Sequence, residues 1–193
     1  MSRTINILYI ISSLVFLLTL HLTPYFASHI IKAIPAILLA IQFYAVGRLK
    51  SPFKWLLIGF LFSAVGDIFL ELDNTKFFVH GLGSFLVAHL FYSIGLFSKK
   101  SSIKDHKFIA SFILLFSISM VFILSPKLGN LLIPVSIYIF VISIMGVLSC
   151  GFLDNSPLVT LGAGLFIISD SLIAINKFLV AIPKAGIFIM ITF

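Results

Sequence analysis

Cysteine and charge are both scarce in this chain. Cys150 is the single cysteine among 193 residues, which excludes an intrachain disulfide and any metal site built from several thiolates. It reads as a small apolar packing residue. Charged residues make up 10% of the sequence, against about 25% in soluble domains, and no stretch is polar enough to form a separate water-soluble domain. Three signatures of familiar enzyme chemistry are missing as well: a Gly-rich phosphate loop, an HExxH zinc helix and a GxSxG nucleophile elbow.

Apolar residues take the place of charge. They make up 61% of the chain, with a mean hydropathy of +1.23, more than a water-soluble fold of this length can bury. The sequence therefore reads as one integral membrane domain over residues 1–193, an all-α, polytopic transmembrane helix bundle. A span needs about 20 predominantly apolar residues, and the polar punctuation divides the chain into about eight. The expected spans are Ile5 to Leu22, His29 to Gly47, Phe53 to Leu72, Phe77 to Phe97, Phe108 to Leu124, Asn130 to Cys150, Pro157 to Asn176, and a last one from Pro183. Breakers sit between them at Thr23-Pro24, Ser51-Pro52, Asp73-Asn74, Ser125-Pro126 and Asn155-Ser156-Pro157. The first apolar run reads as a retained span, being longer than a signal peptide core. The last run, only about 11 residues before Phe193, is too short to cross. It is either a half-span or the start of a span in a longer natural chain, and the second is the expectation.

The formal net charge of +7 would suggest a nucleic-acid partner in a soluble protein. Here the positive-inside rule accounts for it. Arg48, Lys50 and Lys54 cluster in one loop, and Lys99, Lys100, Lys104 and Lys107 in another. Both loops fall on the same side when the N-terminus is cytoplasmic, facing anionic headgroups. The expected location is the inner membrane of a bacterium, with the lipid bilayer and no nucleic acid as partner.

Against this background the ionisable residues inside the spans stand out, since a charge at mid-bilayer costs several kcal/mol unless it is paired or faces water. Asp67 lies about 14 residues into the third span and Asp170 about 13 into the seventh, so at 1.5 Å per residue both rise roughly 20 Å from the cytoplasmic end. Glu71 follows Asp67 by four residues and shares its helix face. Lys32 and His29 come from the outer end of the second span, His80, His89 and Tyr92 from the fourth, Tyr138 from the sixth, and Asn176 and Lys177 from the seventh. Independent spans thus place polar groups in one slab of the membrane. Structural readings stand beside the functional ones. Glu71, His80 and Lys177 lie where snorkelling to the headgroups is ordinary. Lys32 suits a counter-ion for Asp67 or Asp170, and His89 and Tyr138 suit interhelical hydrogen bonds. Small residues such as Gly59, Ser63 and Gly66 suit close helix packing.

Two neighbouring carboxyl groups can divide into one acid and one base, the arrangement that cleaves acetal-like C–O bonds in glycosidases. The expected catalytic pair is Asp67 and Asp170. Lys32, Glu71, His89, Tyr92, Tyr138, Asn176 and Lys177 are the candidate substrate-binding set, and no metal or other cofactor is expected. A transporter or lipid-binding membrane protein that uses the same carboxylates for proton coupling is the alternative.

Four strings carry a family resemblance: KAIP from Lys32, GFLFSAVGDIFLEL from Gly59, FVHGLGSFLVAHLFY from Phe78 and GAGLFIISDSLIAINKF from Gly162. Together and in this order they resemble the YhhN-like family of multi-span membrane proteins, whose animal members are lysoplasmalogenases. The resemblance covers nearly the whole chain. It implies hydrolysis of the vinyl ether bond of a lysoplasmalogen, or of a related lyso-ether lipid, to a fatty aldehyde and a glycerophospho-alcohol. It also implies that Asp67 and Asp170 hold the family's two Asp positions, with Lys32 and Lys177 as candidates to hold the substrate phosphate. The family commonly continues past the position of Phe193, in keeping with an incomplete eighth span.

Overall fold

A computed structural model describes residues 3–23, 25, 27–47, 49–98, 103–152 and 154–192. Pro24, Arg48, Lys99, Lys100 and Phe193, which enter the sequence expectations, lie outside them. Among the described residues there are helices and no strands. These are α1 (Arg3–Thr19), α2 (Ser28–Gly47), α3 (Phe53–Leu72), α4 (Phe78–Phe97), α5 (Lys107–Leu128), α6 (Leu132–Cys150), α7 (Pro157–Phe178) and α8 (Ala185–Thr192), with short 3-10 turns after α1, before α5 and before α6.

Among the described residues, six helical segments are long and apolar enough to cross a bilayer, and one of them, the 44 residues of Lys107–Cys150, contains both α5 and α6. Gly129, with φ at +50°, reverses the chain there and α6 packs back on α5, so seven helices have crossing length. The protein is a multi-pass integral membrane protein. Large apolar side chains such as Leu18, Phe108, Phe112 and Phe122 point outward, as lipid-facing residues do in a solvent that does not penalise them. At eight residues, α8 rises only about 12 Å.

One expected breaker is corrected. Pro126 does not end the fifth span but lies in the last turn of α5. A proline there cannot donate to the carbonyl four residues back, and that carbonyl, of Phe122, instead accepts a hydrogen bond from Ser125 Oγ at 3.0 Å. The helix ends at Gly129, where the backbone takes a conformation that favours glycine.

The chain divides into two compact units, Met1–Lys99 and Lys100–Phe193. In the first, α1 to α4 pack each on the next. Their contact surfaces are built on small residues: a Cβ at Gly59 would lie 2.3 Å from the Tyr92 ring, and one at Gly66 would lie 2.6 Å from the Phe85 ring. These two positions let α4 seat aromatic rings directly on the backbone of α3, and Ser84 Oγ adds a hydrogen bond to the Phe62 carbonyl at 2.7 Å. Asp73 caps the turn between α3 and α4, accepting from the Thr75 hydroxyl and from the amides of Thr75 and Lys76. The Thr75 hydroxyl, those amides and the Lys76 ammonium lower its carboxyl from 3.8 to about 2.

In the second unit α7 packs on both α5 and α6, and α8 on α7. Gly146 of α6 leaves room for Ile167 and Ile113. Thr160 Oγ1 donates to the Ser149 carbonyl at 2.6 Å, and Ser169 Oγ to the Ile189 carbonyl of α8 at 3.2 Å. On the loop side, His106 Nε2 and Asp154 Oδ2 meet at 3.0 Å, joining the segment before α5 to the α6–α7 connection.

Candidate functional site

In the first unit the site is built on one face of α3. Gly59, Ser63, Asp67 and Glu71 follow at intervals of four, so they line up along the helix as a single stripe. The first two meet Tyr92 of α4 and the last two meet Lys32 of α2. The Tyr92 ring lies over Gly59, and its hydroxyl is 2.9 Å from Ser63 Oγ. One turn further on, Asp67 is almost wholly buried, and Lys32 of α2 reaches it with Nζ 3.7 Å from Oδ1. The same Nζ is 3.7 Å from Glu71 Oε2. Lys32 therefore joins two carboxylates one turn apart, and the three groups sum to a formal charge of −1. Lys32 and Glu71 keep 11% and 13% of their side-chain surface exposed, while Asp67 keeps 2%, so the cluster opens toward the end of α3. His89 of α4 is fully buried, with its ring 6.0 Å from that of Tyr92.

In the second unit Tyr138 of α6 donates its phenolic hydrogen to Asp170 Oδ2 of α7. Tyr138 is buried and Asp170 half-buried. Asn176 is exposed, and its side-chain oxygen accepts the Ile182 amide at 2.8 Å, which fixes the turn after α7. Lys177 stands in the last turn of that helix, where a cation complements the negative end of the helix dipole. Among the described residues, no group of three His, Cys, Asp or Glu side chains is arranged to hold a metal ion.

The model of the YhhN family matches residues 27–193. The chain belongs to the YhhN family. The match takes in Lys32, Asp67, Glu71, His89, Tyr92, Tyr138, Asp170, Asn176 and Lys177. Among YhhN relatives, the human protein named lysoplasmalogenase TMEM86A is 31% identical over 183 residues, covering 89% of this chain and 75% of the relative. Its counterpart of the same name from Bos taurus is 27% identical over the same shares. A protein named lysoplasmalogenase from Mycobacterium tuberculosis (strain CDC 1551 / Oshkosh) is 34% identical over 158 residues, covering 77% of this chain and 59% of the relative. No solved structure matches the YhhN chain significantly.

Several of the expected positions take on particular partners. Lys32, anticipated as a counter-ion for Asp67 or Asp170, pairs with Asp67 and also with Glu71. His80 is exposed and packs against the rings of Phe69 and Phe77. Sequence reasoning took Ser63 for a packing residue and missed that it is the hydroxyl partner of Tyr92. The available signal was its place midway between Gly59 and Asp67. Gln42 was missed altogether. It is buried in α2, and its side-chain oxygen has no hydrogen-bond partner among the described residues. An amide in the apolar stretch of α2 that follows Lys32 was the signal for it.

Proposed function

We propose that this protein is a membrane-embedded hydrolase that cleaves the vinyl ether bond of a lysoplasmalogen or a closely related lyso-ether lipid. The observation that carries the reading is its family membership through relatives named lysoplasmalogenase, joined to a buried carboxylate, Asp67, held in an ion-paired cluster inside an apolar helix. The setting is taken to be the cytoplasmic membrane, with the N-terminus inside.

In the proposed chemistry Asp170 supplies the acid and Asp67 the carboxylate. Tyr138 orients Asp170, and the ammonium of Lys32 beside Asp67 suits a carboxylate. Asp170 protonates the vinyl carbon one bond removed from the ether-bearing carbon, giving an oxocarbenium ion. Asp67 stabilises that cation and removes a proton from the water that attacks it. The hemiacetal then collapses: its hydroxyl proton passes to the Asp170 carboxylate, and the proton on Asp67 passes to the departing glycerol oxygen. Both carboxyl groups return to their starting forms, and the products are a fatty aldehyde and a glycerophospho-alcohol.

The test is aldehyde release by the purified protein in micelles, with a 1-alkenyl lysophospholipid and its saturated 1-alkyl analogue compared side by side. Aldehyde is expected from the alkenyl lipid alone, because the alkyl ether has no double bond to protonate. Absence of aldehyde from every alkenyl lysolipid would overturn the reading.

A further inference from the structure

Lys32 and Glu71 form a charge pair that complements more than Asp67. Lys32 lies in the second turn of α2, near its N-terminus, and Glu71 is one residue from the C-terminus of α3. The N-terminus of a helix carries about half a positive charge and the C-terminus about half a negative one. The ends of α2 and α3 meet here, because Lys32 Nζ lies 3.7 Å from the carboxylates of both Asp67 and Glu71. One helix end and its lysine thus offer positive charge beside another that offers negative charge. Both side chains are largely removed from solvent yet reachable, which strengthens their electrostatics relative to a surface pair.

Asp67, Lys32 and Glu71 follow one another toward the end of α3, over a rise of about 6 Å between the two carboxylate-bearing residues. A zwitterionic lysolipid carries its groups in the matching order: the vinyl ether, then the phosphate, then the terminal ammonium. We infer that Lys32 and Glu71 read the headgroup, with Lys32 turning from the carboxylates to the phosphate and Glu71 taking the ammonium. Glu71 is then the residue that determines specificity for the headgroup amine. The turn of Lys32 also leaves the Asp67 carboxylate to face the oxocarbenium ion. This inference rests on the hydrolase reading above, which supplies the reaction at Asp67.

The experiment compares kcat/KM for aldehyde release from three 1-alkenyl lysolipids that share one chain: the ethanolamine, the choline and the bare glycerophosphate. The wild-type protein should prefer both amine substrates over the phosphate monoester. Glu71→Gln should lower kcat/KM for the amine substrates about tenfold, as loss of one charge-assisted contact does, through KM, and leave the bare phosphate substrate unaffected or improved. Glu71→Asp, which keeps the charge, should keep the preference. The inference is overturned if the wild type has no headgroup preference, or if folded, monodisperse Glu71→Gln loses all three substrates equally. It is also overturned if Glu71→Asp loses the preference as fully as Glu71→Gln. A wild type that releases aldehyde but ignores the headgroup refutes this inference alone, whereas one that releases none refutes the hydrolase reading and this inference with it.

Discussion

Tyr138 and Asp170 bring a phenol and a carboxyl together from α6 and α7, and the phenol's contribution is directional. It occupies one carboxyl oxygen and leaves the other to present a proton. Removing the hydroxyl by Tyr138→Phe keeps the ring and its packing but deletes a hydrogen bond worth about 0.5–1.5 kcal/mol between neutral groups. In the proposed mechanism Tyr138 acts through Asp170 and not on the lipid. The expected outcome is a fall in kcat of about two- to tenfold with an unchanged KM. A Tyr138→Phe protein with raised KM and normal kcat would instead mean that the hydroxyl contacts substrate. At the same scale, Asp67 and Glu71 were legible in the sequence because a spacing of four puts them on one helix face. Their shared partner was legible only as one of two options. Which carboxylate a lysine reaches depends on the crossing of α2 and α3, and no periodicity encodes that. The bond from Tyr138 to Asp170 was hidden for the same reason: two polar groups at one depth belong to different helices, and sequence carries no record of helix rotation.

Among the elements, the spans were the most readable feature, since runs of apolar residues broken by polar punctuation are a direct consequence of bilayer thickness. The misplaced end of the fifth span has a local cause. Proline usually stops a helix, but Ser125 satisfies the carbonyl that Pro126 leaves bare, so the helix continues to Gly129. Packing between elements is also partly written in small residues, and Gly59 gives the clearest case. A methyl group there would sit 2.3 Å from Tyr92 Cε1, inside any real contact distance, and overpacking of this kind costs about 1–3 kcal/mol. Gly59→Ala is therefore expected to lower the thermal unfolding midpoint in micelles, and adding Tyr92→Ala should give less than the sum of the two single effects because the two side chains compete for one space. A wild-type midpoint for Gly59→Ala would contradict the packing described for α3 and α4.

For the whole molecule, the distribution of positive charge sets an orientation. Lys50 and Lys54 flank the start of α3, whereas the turn capped by Asp73 lies at its other end. Since α3 has crossing length, the two loops should lie on opposite faces of the membrane. By the positive-inside rule the basic loop is expected on the cytoplasmic side. Cys150 is fully buried and should stay silent toward a membrane-impermeant maleimide. Thr75→Cys is expected to react from outside intact cells, and Lys50→Cys only after the membrane is opened; the reverse pattern would invert the topology. The central claim is the proposed role of Asp67 and Asp170 in the hydrolysis. Its most direct test is aldehyde release from a 1-alkenyl lysophospholipid by purified Asp67→Asn and Asp170→Asn proteins of wild-type helicity and monodispersity. Each single substitution should abolish turnover, and the double substitution should add nothing further; aldehyde release at the wild-type rate by either single variant would contradict the account.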